Sequence, residues 1–206
     1  MRSSITLLLL TLLADLGASG AEARVYFSRV EALELAFPDA DRVESETVVL
    51  DDAQARAVQA LAREKLESRL VTLFKGVRQG EVLGYAFIDV HTVRTLPEAF
   101  LIVLSPDGEV RSLRVLAFYE PEEYLPHERW LEQFDQRRLA PALRLGGEIH
   151  GIAGSTLSAR AVTGGVRRSL ALFEVLVRSG GAAPAAHPAS PPAAGAPSLG
   201  TASGGR

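Results

Sequence analysis

The chain has 206 residues, a formal net charge of −3, 47% hydrophobic residues and no cysteine. The lack of cysteine excludes a disulfide framework, thiolate zinc sites, iron–sulfur clusters and cysteine-linked haem. The acidic balance, with only two lysines in the chain, argues against nucleic acid as a partner, because phosphate binding needs clustered basic side chains.

Both ends of the chain differ in composition from its middle. Residues 1–23 have the pattern of a secretory signal peptide, with an apolar run followed by the small-x-small site Ala21-Glu22-Ala23. The run is too short to span a membrane, so we interpret it as cleaved, with an uncleaved anchor as the alternative. Residues 180–206 are almost entirely Gly, Ala, Pro and Ser and are predicted to be disordered. Residues 24–179 then form one predicted domain of an extracytoplasmic protein.

The first part of this domain is predicted to alternate helix, strand and helix. Residues 25–36 predict a short helix that ends before Pro38, and residues 46–50 predict a strand. Asp51-Asp52 then offers an N-cap. Apolar side chains follow at spacings of three and four, which predicts one long amphipathic helix over residues 53–74.

The middle of the chain changes to a strand pattern. Residues 82–90, 99–104 and 110–118 are rich in β-branched and aromatic residues. Ser105-Pro106-Asp107-Gly108 has the composition of a tight turn between the last two segments. These segments predict an antiparallel hairpin with a neighbouring strand.

The last part of the domain is predicted to be helical. After a loop over residues 120–125, a short helix covers residues 130–139, in which Trp130 and Phe134 are expected to anchor the core. The last helix starts near Ser155-Thr156, and its predicted polar face carries Arg160, Arg167, Glu174 and Arg178. The expected fold is therefore α+β: an antiparallel meander with two long helices packed on it, in a single domain.

Few segments carry a recognisable chemical motif. The four histidines have no paired spacing on a helix, so a metal site is not expected. The glycine-rich run over residues 146–154 lacks both the spacing of a dinucleotide fingerprint and the lysine of a P-loop. It leads into Gly154-Ser155-Thr156-Leu157-Ser158, a helix start whose unpaired N–H groups and three hydroxyls suit a phosphate. The plainer interpretation of this helix start is an N-cap.

Residues 149–162 resemble the flavinylation segment of the FMN-binding domain family, which includes FMN-carrying subunits of the sodium-pumping NADH:quinone oxidoreductase and of the Rnf complex. In that family the pattern Asp-x-x-Ser/Thr-Gly-Ala-Thr precedes a helix, and a flavin transferase links FMN to the last threonine by a phosphoester. Gly154 and Thr156 match this pattern, so the resemblance implies Thr156 as the attachment residue. Three positions differ from the family pattern: His150, Ala153 and Ser155.

A second similarity lies upstream of the helix start. The strand over residues 113–118, the Glu-led loop from Glu120 and the segment Trp130–Phe134 resemble the family's strand, loop and Trp-x-x-x-Phe segment. The similarity therefore spans about residues 80–178. The candidate residues around the cofactor are Thr156, Gly154, Ser155, Leu157, Ser158, Glu120 and Tyr124. Leu157, Ser158, Glu120 and Tyr124 are the candidates for contact with the flavin ring, which needs an apolar floor and a few polar contacts. For Glu120, a solvated loop carboxylate is an equal alternative.

His91 and Arg94 lie between the strands predicted over residues 82–90 and 99–104. A cation at this place would stabilise a reduced flavin if the connection folded toward the cofactor. An ordinary exposed loop is the interpretation that we favour, because polar connections between strands usually run over the surface.

The resemblance implies an extracytoplasmic electron-transfer protein that carries FMN on Thr156. Its implied partners are a flavin transferase and redox proteins at or near a membrane. The differences at His150, Ala153 and Ser155 suggest an alternative, a non-covalent FMN-binding or assembly module of a membrane redox complex. A flavin-dependent reductase is a third hypothesis, for which the sequence has no nicotinamide fingerprint.

Overall fold

The computed structural model describes residues 24–93 and 95–180. The predicted signal peptide, the predicted tail beyond Gly180 and Arg94 lie outside the described residues. In these two ranges no helix combines the length and the apolar character that a membrane span requires.

The described chain forms one antiparallel sheet with helices on both of its faces. The strands are β1 (Arg24–Val25), β2 (Arg42–Val49), β3 (Leu70–Arg78), β4 (Glu81–Val93), β5 (Leu96–Leu104) and β6 (Val110–Phe118). The α-helices are α1 (Arg29–Ala36), α2 (Asp52–Ala62), α3 (Glu128–Leu131) and α4 (Thr156–Phe173). Short 3₁₀ turns cover Glu122–Tyr124 and Glu132–Phe134, and a π-helical turn over Glu174–Arg178 extends α4.

The sheet order is β1-β6-β5-β4-β3-β2, so β2 to β6 form a meander and β1 pairs with the last strand of it. The larger core lies on the face covered by α2 and α4, which pack against each other. A smaller core lies under α1 on the opposite face, where Phe37, Phe74 and Leu101 are buried. The structure thus confirms the predicted α+β class, with an antiparallel meander and two helices packed on it.

The prediction of one helix over residues 53–74 is wrong for the second half of that range. Asp51 caps α2 as predicted, but the helix ends at Ala62, where Arg63 has a left-handed φ of 57°. Strand β3 begins at Leu70, and its neighbouring residues Leu73 and Phe74 are buried in the two different cores. A strand that is buried on both faces lacks the alternation of a half-exposed strand, so its leucines match a helical spacing by coincidence.

Smaller differences affect the ends of the predicted elements. The first helix begins at Arg29 instead of residue 25, after a short strand. The helix predicted over residues 130–139 is only Glu128–Leu131 followed by a 3₁₀ turn. The strands predicted over residues 82–90, 99–104 and 110–118 correspond to β4, β5 and β6.

The prediction that Arg167 lies on the polar face of the last helix is wrong. The residue is 5% exposed, and its guanidinium donates hydrogen bonds to backbone carbonyls of the α2 end and of the segment over residues 140–143. The donor–acceptor distances are 2.6 Å to the Ala62 oxygen and 2.8 Å to the oxygens of Ala140 and Leu143. The last turn of a helix leaves carbonyls without partners in the helix, and Arg167 satisfies those of α2 from the neighbouring helix.

We expect Arg167→Met to lower the free energy of unfolding by about 3 kcal/mol or more. Each hydrogen bond from a charged donor contributes roughly 1.5–3 kcal/mol, and the substitution leaves several buried carbonyls unpaired. Urea denaturation measures the loss. Arg160→Met on the same helix, where the side chain is exposed, should change stability by no more than about 0.5 kcal/mol. Equal urea midpoints for the two variants would show that the buried guanidinium contributes nothing specific.

Candidate functional site

A partly open cavity of about 250 Å³ lies at the amino-terminal end of α4. Eight residues line it: Val93, Glu120, Tyr124, Gly154, Ser155, Thr156, Leu157 and Ser158. All seven residues named above as candidates around the cofactor are among them, and the end of β4 adds Val93. The structure therefore brings two segments that are distant in sequence to one place, while the role of these residues toward a cofactor stays a prediction.

The segment before α4 is held by Trp130 and Gln133 of the short helical region. The Trp130 indole nitrogen donates to the His150 carbonyl oxygen at 2.7 Å, and the His150 amide donates to Oε1 of Gln133 at 2.9 Å. Trp130 and Phe134 are buried as predicted and pack edge to face, with ring centroids 5.4 Å apart. Gly154 then turns the chain into α4 with a φ of +81°, a conformation that side-chain-bearing residues rarely adopt.

The amino-terminal end of α4 is not capped by its own N-cap residue. Ser155 occupies the N-cap position, but its hydroxyl donates to the Tyr124 carbonyl oxygen at 2.5 Å and makes no cap hydrogen bond. The first amides of a helix have no partner within the helix. Those of Thr156, Leu157 and Ser158 have no other partner among the described residues. Three N–H groups at the positive end of the helix dipole are thus left for an external acceptor.

The three hydroxyl groups at this helix start differ in accessibility. Ser155 and Ser158 are each 2% exposed, and the Ser158 hydroxyl donates to Glu98 Oε1 at 3.1 Å. Thr156, between them, is exposed in the cavity wall. Thr156 is therefore the one hydroxyl of the three that a modifying enzyme can reach.

The alternative interpretation of Glu120 as a solvated loop carboxylate is wrong. The residue is 5% exposed, and its Oε1 accepts a hydrogen bond from the Leu96 amide at 3.3 Å. Glu120 is thus held against the start of β5 and is not directed into solvent. The cavity therefore has a buried carboxylate in its wall.

The interpretation of His91 as part of an exposed loop is also wrong, because β4 continues to Val93 and includes it. His91 is 5% exposed and stacks on Phe100, with ring centroids 5.6 Å apart and an interplanar angle of 10°. Its Nδ1 lies 2.7 Å from Oδ2 of Asp89.

His91 belongs to a line of buried charges between α4 and the sheet. It faces Glu98 across the β4–β5 pair, with 3.4 Å between Nε2 and Oε2. Arg168 of α4 binds Asp89 through two hydrogen bonds of 3.0 and 2.8 Å. The sign of the charge alternates along Glu98, His91, Asp89 and Arg168. Sequence reasoning missed this line of charges. The one sequence signal for it was the spacing of Asp89 and His91, because residues two apart in a strand have their side chains on the same face.

The neighbours of His91 stabilise its charged form. Burial disfavours a charged imidazole, but the hydrogen bond with Asp89, the close contact with Glu98 and the charges of both carboxylates outweigh burial and raise the pKa of His91 to about 9. Burial also acts against a charged Asp89, yet its hydrogen bonds with His91 and Arg168 lower the pKa of Asp89 below its ordinary value. The line is therefore charged at neutral pH at these two positions.

The residues of the cavity fit a phosphorylated ligand with a planar ring. The three free amides and the Thr156 hydroxyl suit a phosphate, and Leu157, Val93 and Tyr124 offer apolar surface. The volume is below the range of about 300–1,000 Å³ in which pockets enclose a whole ligand of this class, so part of the ligand would remain outside. No group of three or more potential metal-ligating His, Cys, Asp or Glu side chains is present in the part of the chain that the structure describes.

Gly165 allows α4 to approach the buried charges. A Cβ at this position would lie 2.6 Å from Oδ2 and 2.9 Å from Cγ of Asp89. We expect Gly165→Ala to destabilise the protein by about 1–3 kcal/mol in urea denaturation, because the Asp89–Arg168 pair must shift. Gly164→Ala is the matched control, since its Cβ would meet only the ends of the Glu64 and Arg168 side chains at 3.2–3.4 Å. A control variant as unstable as Gly165→Ala would argue against this explanation.

The raised pKa of His91 predicts a loss of stability at alkaline pH. Its contribution is complete below the ordinary pKa of 6.5, decreases above that value and is lost once the pH exceeds about 9. The total decrease is on the order of 3 kcal/mol, since one pKa unit corresponds to about 1.4 kcal/mol. Urea denaturation at several pH values should show this decrease for the natural protein and for His150→Gln, whose imidazole is exposed. His91→Gln should lack it.

Comparison with known proteins assigns no family. No family model matches the chain, and no curated protein matches it. Among solved structures, the crystal structure of Shewanella oneidensis NqrC is similar over 68% of this chain and 84% of that chain, with a TM-score of 0.46 and 12% sequence identity. At this level of similarity the function has to be argued from the site itself.

Proposed function

We propose that this protein is an extracytoplasmic electron-transfer flavoprotein that carries FMN, linked by a phosphoester to Thr156. The observation that carries the proposal is the convergence of Glu120 and Tyr124 with the start of α4 in one cavity. The resemblance to the FMN-binding domain family implies Thr156 at the start of α4 and the loop that begins at Glu120. The accessible Thr156 hydroxyl lies beside three amides that have no partner among the described residues.

The charge in the cavity favours a covalent link over reversible binding. A phosphate at a helix amino terminus gains roughly 0.3–1 kcal/mol from the dipole, in addition to its hydrogen bonds. The described residues that line the cavity include no lysine or arginine, and Glu120 adds a buried carboxylate. Free FMN would therefore be held weakly and would dissociate at low concentration, whereas a phosphoester keeps the site occupied at any concentration.

The size of the cavity supports electron transfer as the activity. A volume of about 250 Å³ leaves the isoalloxazine ring partly outside. Leu157, which is 44% exposed, offers apolar surface next to the attachment site. Buried Glu120 can accept a hydrogen bond from a ribityl hydroxyl or from the imide N–H of the ring. A ring with an accessible edge can exchange electrons with a protein partner directly, and in this arrangement the protein supplies binding and orientation.

Intact mass after co-expression with a flavin transferase tests the link. We expect an increase by one FMN minus one water, together with yellow colour, in the natural protein and in Ser155→Ala, because the Ser155 hydroxyl is already bound to the Tyr124 carbonyl. Thr156→Val should lose the adduct and Thr156→Ser should regain it. The same mass shows whether residues 1–23 have been removed.

The outcomes separate the proposal from its alternative. An unmodified natural protein would contradict the covalent link, and reversible binding of FMN by that protein would favour the non-covalent module. An adduct that survives in Thr156→Val but disappears in Ser155→Ala would move the attachment to Ser155. The adduct could also be lost in both Thr156→Val and Ser155→Ala while circular dichroism shows that both variants are folded. That result would not identify Thr156 as the single acceptor and would contradict the assignment.

A further inference from the structure

A line of polar side chains connects the cavity wall to buried charge in the sheet. Ser158, which lines the cavity, donates to Glu98 Oε1 at 3.1 Å. The other oxygen of Glu98 lies 3.4 Å from His91 Nε2, and Nδ1 of His91 lies 2.7 Å from Asp89. Arg168 ends the line at Asp89. Glu98 is thus the carboxylate of the line that is linked to the cavity.

Glu98 has an oxygen without a hydrogen bond. The residue is 0% exposed, and neither its Oε2 nor the facing Nε2 of His91 makes a hydrogen bond in the described structure. A buried polar atom without a hydrogen-bond partner is unfavourable, and more so if it is charged. Asp89 differs, because both of its oxygens are bound by Arg168 and one is also bound by His91. Of the two carboxylates, Glu98 is therefore the one with a free position for a proton.

The line is electrically balanced before any charge is added to the cavity. Two carboxylates, one imidazole whose pKa is raised to about 9 and one guanidinium alternate in sign. Among the other charged groups that the structure describes, Glu120 lies in the cavity wall. Glu64 and Glu67 line a second cavity together with the basic residues Arg63, Lys65 and Arg168. These basic side chains lie at the Arg168 end of the line, whereas Glu98 lies at the end that is linked to the cavity with Glu120.

We propose that Glu98, held by Ser158 and His91, binds a proton when the cofactor in the cavity is reduced. The inference rests on the proposed function. One electron passes from an external one-electron donor, which is oxidised, to the bound flavin. One proton from solvent binds Oε2 of Glu98, and His91 keeps its own protons. The line gains one positive charge as the cofactor gains one negative charge, and no bond of the protein is broken.

The midpoint potential of the flavin-loaded protein, measured between about pH 6 and pH 9, tests the proposal. We expect the potential to fall with pH, and the slope gives the number of protons bound per electron. In Glu98→Gln this number should be smaller by up to one. Protonation of the flavin itself contributes equally to all variants, so the difference isolates Glu98. Glu123→Gln, an exposed glutamate of the same loop region as Glu120, should keep the natural slope.

The variant His91→Gln supplies a second test, because it should shift the pH dependence of the potential, whereas Glu98→Gln should reduce its slope. Without the imidazolium, the Glu98 carboxylate binds a proton more readily, so the bend in the plot of potential against pH should move to higher pH. In the flavin-free protein, NMR titration of the His91 ring should show a charged imidazole up to about pH 9, and a lower titration point in Glu98→Gln.

The possible results distinguish a failure of the proposed role of Glu98 from a failure of the proposed function. Equal slopes in yellow natural protein and yellow Glu98→Gln would overturn the proton-binding role of Glu98 and leave the flavin assignment intact. An ordinary titration of His91 in the flavin-free protein would also overturn that role, and this measurement does not depend on flavin. A protein that stays colourless and unmodified would overturn the proposed function, and the inference with it.

Discussion

The packing of α4 against β4 and β5 is the contact on which the candidate site depends. It requires the absence of a side chain at Gly165, where a Cβ would collide with Asp89. The close approach allows Arg168 to bind Asp89 and Ser158 to reach Glu98, about three turns apart on one helix. The amino terminus of α4 is thereby positioned at the end of β4, where Val93 completes the cavity. A shift of this helix would change the cavity and the buried charges together.

The strands and the last helix could be predicted from the sequence because their patterns are local. The turn over residues 105–108 and the β-branched runs mark β5 and β6, and the helix start at Thr156 was identified by its hydroxyl-rich sequence. Strand β3 could not be predicted in this way. Its side chains enter two separate cores, and the resulting apolar run matches a helix as well as it matches a strand.

The candidate site was predictable only where residues are close in sequence or belong to a known pattern. Gly154 and Thr156 were identified by resemblance, and the structure adds that Glu120 is buried beside them. Glu98 and Arg167 were missed for a physical reason. A buried charged residue cannot be told from a surface one in the sequence, because its partners come from other elements. The partners of Glu98 lie on β4 and α4, and Arg167 binds the end of α2.

The hydroxyl of Ser155 has a consequence for how the site could be modified. The Ser155 hydroxyl donates to the Tyr124 carbonyl oxygen and the Ser158 hydroxyl donates to Glu98, so the fold leaves Thr156 as the exposed residue of the three. The modification proposed above would therefore be regioselective. A transferase that recognises only the exposed end of a helix would still modify a single position. Such an enzyme can tolerate neighbouring residues that depart from a consensus, provided that the folded acceptor presents one nucleophile and conceals the rest.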